Sequence, residues 1–87
     1  METHGAVTII SRQGRDTNNY RVIDMQPNAH KPPTRWILTA QTKQHSPFRD
    51  HLADYTSGEE AIEQYARLMQ GGVWHQTGTT FERAPIL

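Results

Sequence analysis

The sequence predicts one small α+β domain, with an antiparallel sheet of three to four strands and one helix packed on one face, in the order β-β-β-α-β. Two observations support this prediction. Short runs of β-branched and aromatic residues alternate with turn residues in the first half of the chain. One amphipathic segment with helix signals at both ends follows at residues 58–70. A chain of 87 residues has the size of a single domain, which we assign to 1–87.

Three strands are predicted before the helix. They are VTIIS at 7–11, YRVIDM at 20–25 and RWILTAQ at 35–41, because each run is rich in residues that favour extended backbone. Turn residues fill 12–19, and three prolines interrupt 26–34. Residues 42–55 are predicted as a long loop, with a short strand around 48–52 as the alternative.

The helix is predicted from its ends and from its spacing. Ser57 is a suitable N-cap, and Glu60 three residues later completes a capping box. Gly71 and Gly72 end the helix, and residues 73–81 predict a fourth strand or a hairpin around Gly78. The i, i+3, i+4, i+7 spacing predicts this buried face: Ile62, Tyr65, Ala66 and Met69.

A small core follows from the composition, because only 34% of the residues are hydrophobic. The predicted core is Val7, Ile9, Val22, Ile23, Trp36, Leu38, Ile62, Tyr65 and Met69. Such a core gives marginal stability, so a partner or a homodimer can belong to the folded unit. One helix covers only one face of the sheet, and the open face is the expected place for a partner.

Charge is unevenly distributed along a chain whose net charge is zero. Seven Lys/Arg and four acids give residues 1–51 a charge of +3, and the remainder carries −3. Four arginines are expected to cluster if the first three strands are neighbours, and Lys43 extends the patch. Tyr20 is the expected stacking platform beside it. The predicted partner-binding residues are therefore Arg12, Arg15, Arg21, Arg35, Lys43 and Tyr20.

Catalytic and cofactor motifs are missing from the sequence. There is no cysteine, no G-x-S-x-G elbow and no glycine-rich phosphate loop, so we expect no enzyme and no cofactor. A set of metal-ligand types lies close together in the chain: His45, Asp50, His51 and Asp54. Their spacing matches no metal motif, and we expect a solvated loop without metal.

Two functions remain after these exclusions. The first is a protein-binding module, such as an inhibitor or adaptor of the kind that phages and mobile elements encode. The alternative is a nucleic-acid-binding domain that uses the basic sheet, although strong binders usually carry a clear basic excess. The strand order, basic sheet and acidic helix resemble the arm-binding domains of phage integrases in topology, but the fourth strand departs from them. No apolar run is long enough to span a membrane, and a cytoplasmic location is expected.

Overall fold

A computed structural model describes residues 6–11, 16–42 and 47–84, and within them the chain forms one helix and seven strands. The α+β class is confirmed, with the helix packed against the sheets. The elements are β1 (Val7–Ser11), β2 (Thr17–Tyr20), β3 (Val22–Pro27), β4 (Trp36–Gln41), β5 (Asp50–Tyr55), α1 (Gly58–Met69), β6 (Gly72–Thr77) and β7 (Thr80–Arg83). α1 is neither long nor apolar enough to cross a lipid bilayer.

The strands form two sheets, where the sequence predicts one. The four-stranded sheet has the order β2-β1-β6-β7, and the three-stranded sheet has the order β3-β4-β5. Neighbouring strands are antiparallel except for β1 and β6, which run parallel with Val7 opposite Gly72. Parallel strands need a long connection between them. Here the connection from β1 to β6 contains β2, the three-stranded sheet and α1.

The predicted second strand is divided at Arg21. The backbone N–H of Arg21 donates to the carbonyl of Gln41 at 2.9 Å, at the junction where the chain leaves one sheet and enters the other. β2 therefore begins inside the predicted turn, and β3 extends to Pro27. The sequence does not predict β2, because two of the four residues in TNNY are asparagines, which have low β-propensity.

β5 corrects the predicted loop at 42–55, and it is longer than the alternative strand at 48–52. Ala53 and Tyr55 face the core, while the neighbouring Asp54 points away from it. A bulge between Leu38 and Thr39 shifts the β4–β5 register and interrupts this alternation. The irregular pattern explains why period-2 reasoning missed the strand.

Both predicted ends of the helix are confirmed. The backbone N–H of Glu60 donates to Ser57 Oγ at 3.3 Å, so Ser57 is the N-cap. The Glu60 carboxylate accepts a hydrogen bond from Thr79 Oγ1 at 3.4 Å, which ties the helix start to the β6–β7 turn. Gly71 follows the helix with a φ of 74°, as an αL C-cap requires. The hairpin around Gly78 also forms, with a φ of 61° at this glycine.

The predicted buried face of the helix is wrong at Ile62 and Ala66, whereas Tyr65 and Met69 are half-buried. Ile62 is 66% exposed, whereas the buried helix residues are Ala61, Gln64 and Leu68. The reason is a polar contact at the edge of β7. Gln64 Oε1 accepts from the N–H of Phe81 at 2.8 Å, and Arg67 Nη1 donates to the Phe81 carbonyl at 2.7 Å. Buried backbone groups need partners, so the helix turns Gln64 inward and Ile62 outward.

The core lies between the two sheets and α1. Of the predicted core, Val7, Ile9, Ile23 and Leu38 are buried. The other buried hydrophobic residues are Tyr20, Ala40, Ala53, Tyr55, Ala61, Leu68, Trp74 and Phe81. Trp36 and Tyr65 are half-buried and pack against this core.

Candidate binding surfaces

A groove opens between the inner face of the four-stranded sheet and β5. Its volume is about 520 Å³, within the range of small-ligand sites. The residues that line this groove are Ile9, Ser11, Asp16, Asn18, Tyr20, Arg49, Asp50, His51, Leu52 and Gln76. Ile9, Tyr20 and Leu52 supply apolar surface, and the remaining side chains are polar or charged.

Tyr20 joins the two walls of the groove. Its ring is 3% exposed, and its hydroxyl donates to Asp50 Oδ2 at 2.9 Å. Burial raises the pKa of Tyr20 well above its usual range, and the hydrogen bond to the Asp50 carboxylate raises it further. Gln76 makes a second connection, since its Nε2 donates to the carbonyl of Leu52 at 2.8 Å.

Charged groups around the groove are mostly paired on its β5 side. Arg49 lies 3.8 Å from Asp24, and its Nη1 donates to Thr39 Oγ1 at 3.3 Å. His51 Nε2 lies 2.7 Å from Asp54 Oδ1. On the β2 side, Asp16 contributes a carboxylate to the lining without an ion-pair partner among the described residues. The described part of the groove is therefore weakly acidic.

The structure separates the two predicted arginines that it describes. Arg21 precedes β3, whose first residue pairs with Gln41, while Arg35 precedes β4, whose first residue pairs with Pro27. They lie at opposite ends of the hairpin, roughly 20 Å apart at the usual rise of a strand. Arg35 also lies 3.7 Å from Asp54, which offsets its charge. Arg21 and Arg35 do not form one patch.

The other predicted binding residues divide into two groups. Arg12, Arg15 and Lys43 lie outside the described residues. Tyr20 is a core residue, which corrects its expected role as a stacking platform, because a base cannot stack on a ring that is 3% exposed.

The described residues of the candidate metal-ligand set do not form one site. His45 lies outside the described residues, Asp50 bonds Tyr20, and His51 pairs with Asp54. Among residues 6–11, 16–42 and 47–84, no three ligand side chains converge on one point.

The outer face of the four-stranded sheet is open to solvent among the described residues, with side chains that are partly or fully exposed. Register and alternation place these side chains on it: Thr8, Ile10, Thr17, Asn19, Val73, His75, Thr77, Thr80 and Glu82. On the opposite, inner face Phe81 and Trp74 are buried, and α1 contacts this sheet at β7 while it packs against all three strands of the other sheet. Val73 is 41% exposed, and the outer face contains no Lys or Arg among the described residues.

Sequence reasoning expected an open sheet face but missed which strands form it. The alternation in β1 and β6 was visible in the sequence, but their parallel pairing was not, because it joins segments more than sixty residues apart. The groove had no sequence signal, since its walls come from four strands.

In comparisons with known proteins, the chain matches no family model, no curated protein and no solved structure.

Proposed function

We propose that this chain is a small non-enzymatic binding module, an inhibitor or adaptor that binds another protein through the outer face of its four-stranded sheet. The observation that supports this most directly is the character of that face. It is open and built mainly from threonine, isoleucine and valine side chains, and it has no Lys or Arg among the described residues.

The composition of the outer face favours a protein over a nucleic acid. The centres of protein interfaces are depleted of charge, whereas nucleic-acid binding depends on cations that neutralise phosphates. The outer face carries Glu82 and no described cation. Arg35 and Arg49 directly precede β4 and β5, and the guanidinium group of each lies within 4 Å of a carboxylate oxygen.

The non-enzymatic part of the proposal is supported by the contacts of the polar groups in the groove. Ser11 Oγ accepts from the backbone N–H of Asp16 at 3.2 Å, and the Asp50 carboxylate accepts from the hydroxyl of Tyr20. A nucleophile needs a base within hydrogen-bonding distance, and the contact found for Ser11 is to an amide.

An affinity capture tests the proposed surface. Tagged protein is incubated with lysate, with and without nuclease, and the bound proteins are quantified. We expect a partner that survives nuclease and is lost with the pair Thr8→Lys and Val73→Lys, because two desolvated charges oppose docking. The matched control is Gln26→Lys, an exposed position on β3 of the other sheet, which should retain the partner. Equal capture by both variants would contradict the proposed surface.

A gel-shift series tests the nucleic-acid alternative. At low salt we expect little or no shift of duplex or single-stranded DNA, because the net charge is zero and the described arginines are dispersed. A salt-sensitive shift that the double variant Arg21→Glu and Arg35→Glu abolishes would establish the alternative in place of the proposal.

Two further parts of the proposal need separate measurements. Cell fractionation tests the cytoplasmic location. Sedimentation at several concentrations tests for a homodimer, which the small core leaves as a way to complete the folded unit.

A further inference from the structure

The free edge of β2 presents backbone groups that need hydrogen-bond partners. The N–H of Ser11 donates to the carbonyl of Asp16 at 2.9 Å, and the register places these two residues opposite each other. In an antiparallel pair such bonds recur at every second residue, so the backbone N–H and C=O groups of Asn18 and Tyr20 also point toward β1. The N–H and C=O groups of Thr17 and Asn19 therefore point away from the sheet.

At each of the other sheet edges, at least one backbone group is bonded by a side chain. At β7, Gln64 and Arg67 bond the N–H and carbonyl of Phe81. At β3, Tyr65 Oη donates to the carbonyl of Ile23 at 3.4 Å. Pro27 in the same strand has no N–H to offer.

β5 is closed in a similar way, since Gln76 bonds the carbonyl of Leu52. In the described ranges, no side chain makes the corresponding contact with the backbone of Thr17 or Asn19. Within the described ranges, β2 is the sheet edge without such a side-chain contact.

The groove lies beside this open edge. It is lined by Asn18 and Tyr20 of β2 and by Asp16, which directly precedes this strand. A strand added to β2 would place alternate side chains next to these three, because side chains of paired strands stand side by side on each face. Asp16 and Asp50 provide carboxylates there, so a cationic side chain would be attracted into the groove.

We propose that β2 and the groove bind an extended peptide segment of a partner protein, which adds as a strand to β2 and directs a lysine or arginine toward Asp16 and Asp50. Main-chain hydrogen bonds provide affinity in this mode, and the pocket for alternate side chains provides specificity. This inference rests on the proposed function, because it adds a second contact with the partner protein, at the β2 edge, to the one on the outer face.

The charges favour a different protein over a second copy of this chain as the occupant. If two copies of β2 paired, the added strand would contribute the sequence TNNY, in which no residue is cationic, and Arg21 follows the strand rather than lying within it. A partner segment that carries lysine or arginine supplies the missing charge.

The test uses synthetic peptides and the intact protein. A capped hexapeptide of alternating valine and lysine is titrated into ¹⁵N-labelled protein, with the valine–glutamate hexapeptide as the matched control. We expect the amide resonances of Thr17 and Asn19 to shift, and the glutamate peptide to bind about tenfold more weakly, because reversed charge replaces attraction by repulsion. Shifts confined to other regions, or equal affinity for both peptides, would overturn the proposal.

N-methylated peptides separate strand addition from simple charge attraction without changing the protein. Methyl groups on one alternate set of peptide nitrogens should abolish binding, since that set faces β2, while methyl groups on the other set should leave it. Binding that survives both methylation patterns would contradict strand addition. Asp16→Asn should weaken the lysine peptide, and Glu82→Gln on the outer face should leave its affinity unchanged; the reverse order would refute the groove as the cation site.

Two measurements keep this inference separate from the proposed function. Val73→Lys alone should still bind the peptide, because its side chain lies on the opposite face of the sheet and, unlike Thr8, does not bond Asn19 of β2. Weaker capture of the lysate partner by Val73→Lys with retained peptide binding supports both proposals. Sedimentation of the peptide-free protein tests the second copy: a dimer that the lysine peptide dissociates would assign the β2 edge to self-association and overturn the partner segment.

Discussion

At the scale of single residues, two tyrosines are held in the protonated form. Tyr55 Oη donates to the carbonyl of Thr79 at 2.6 Å. Burial, and then the nearby charge of Glu60, raise the pKa of Tyr55 to about 12. The pKa of Tyr20 is raised further, by burial and by Asp50. Each hydroxyl donates across a gap between elements, so ionisation would break a tertiary contact.

The raised pKa values predict how stability depends on alkaline pH. An unfolded tyrosine has a pKa of about 10, so the unfolded chain releases these protons first as pH rises. The contribution of Tyr55 is fully present below about pH 10 and is lost between about pH 10 and pH 12. Chemical denaturation should therefore show a fall in the free energy of unfolding over this range. Tyr55→Phe should reduce that fall, and an unchanged pH dependence would contradict the buried hydroxyl.

The burial difference between Leu68 and Ile62 gives a second prediction. Leu68 is fully buried, so Leu68→Ala should cost about 2–5 kcal/mol of unfolding free energy. Ile62 is 66% exposed, so Ile62→Ala should change it by less than about 0.5 kcal/mol. Both values come from denaturant titration. A larger loss for Ile62 than for Leu68 would restore the helix orientation expected from its apolar spacing.

At the scale of elements, local chemistry was the most predictable part of the fold. Ser57, Gly71 and Gly78 marked the helix start, the helix end and the hairpin, because caps and turns depend on a few neighbouring residues. The helix rotation was not predictable, because it depends on a contact between Gln64 and Phe81, seventeen residues apart. Apolar spacing alone does not decide the rotation, because Ala61, Tyr65 and Leu68 have the same i, i+4, i+7 spacing as the face that contains Ile62.

The edge contact of Gln64 can be tested by removing its amide. Gln64→Leu keeps a side chain of similar size, but it leaves the N–H of Phe81 without its partner. We expect a loss of about 1–3 kcal/mol in unfolding free energy, the usual penalty for an unsatisfied buried group. The control is Ala66→Leu, which adds apolar surface at an exposed position of the same helix and should be nearly neutral. A stabilised Gln64→Leu protein would show that the contact is dispensable.

At the scale of the whole molecule, the sequence predicted the α+β class but not the division into two sheets. The junction at Arg21 and the parallel pair β1–β6 depend on long-range contacts that no local pattern encodes. The candidate binding surfaces are likewise predictable from the sequence only in part. An open face follows from having one helix, whereas the groove and the open β2 edge depend on where β5 lies relative to β2.

The parallel pairing of β1 with β6 also determines when the chain can fold. β6 is made more than sixty residues after its partner β1, so β1 has only β2 as a sheet neighbour until β6 has been translated. A two-stranded hairpin is marginal in water, and the entropy of closing so long a loop slows the pairing step. We expect folding in milliseconds to seconds rather than microseconds, measured by stopped-flow fluorescence of Trp74, which lies in β6. Until β6 pairs, β1 has an unpaired edge, and unpaired strand edges make a folding chain prone to aggregation.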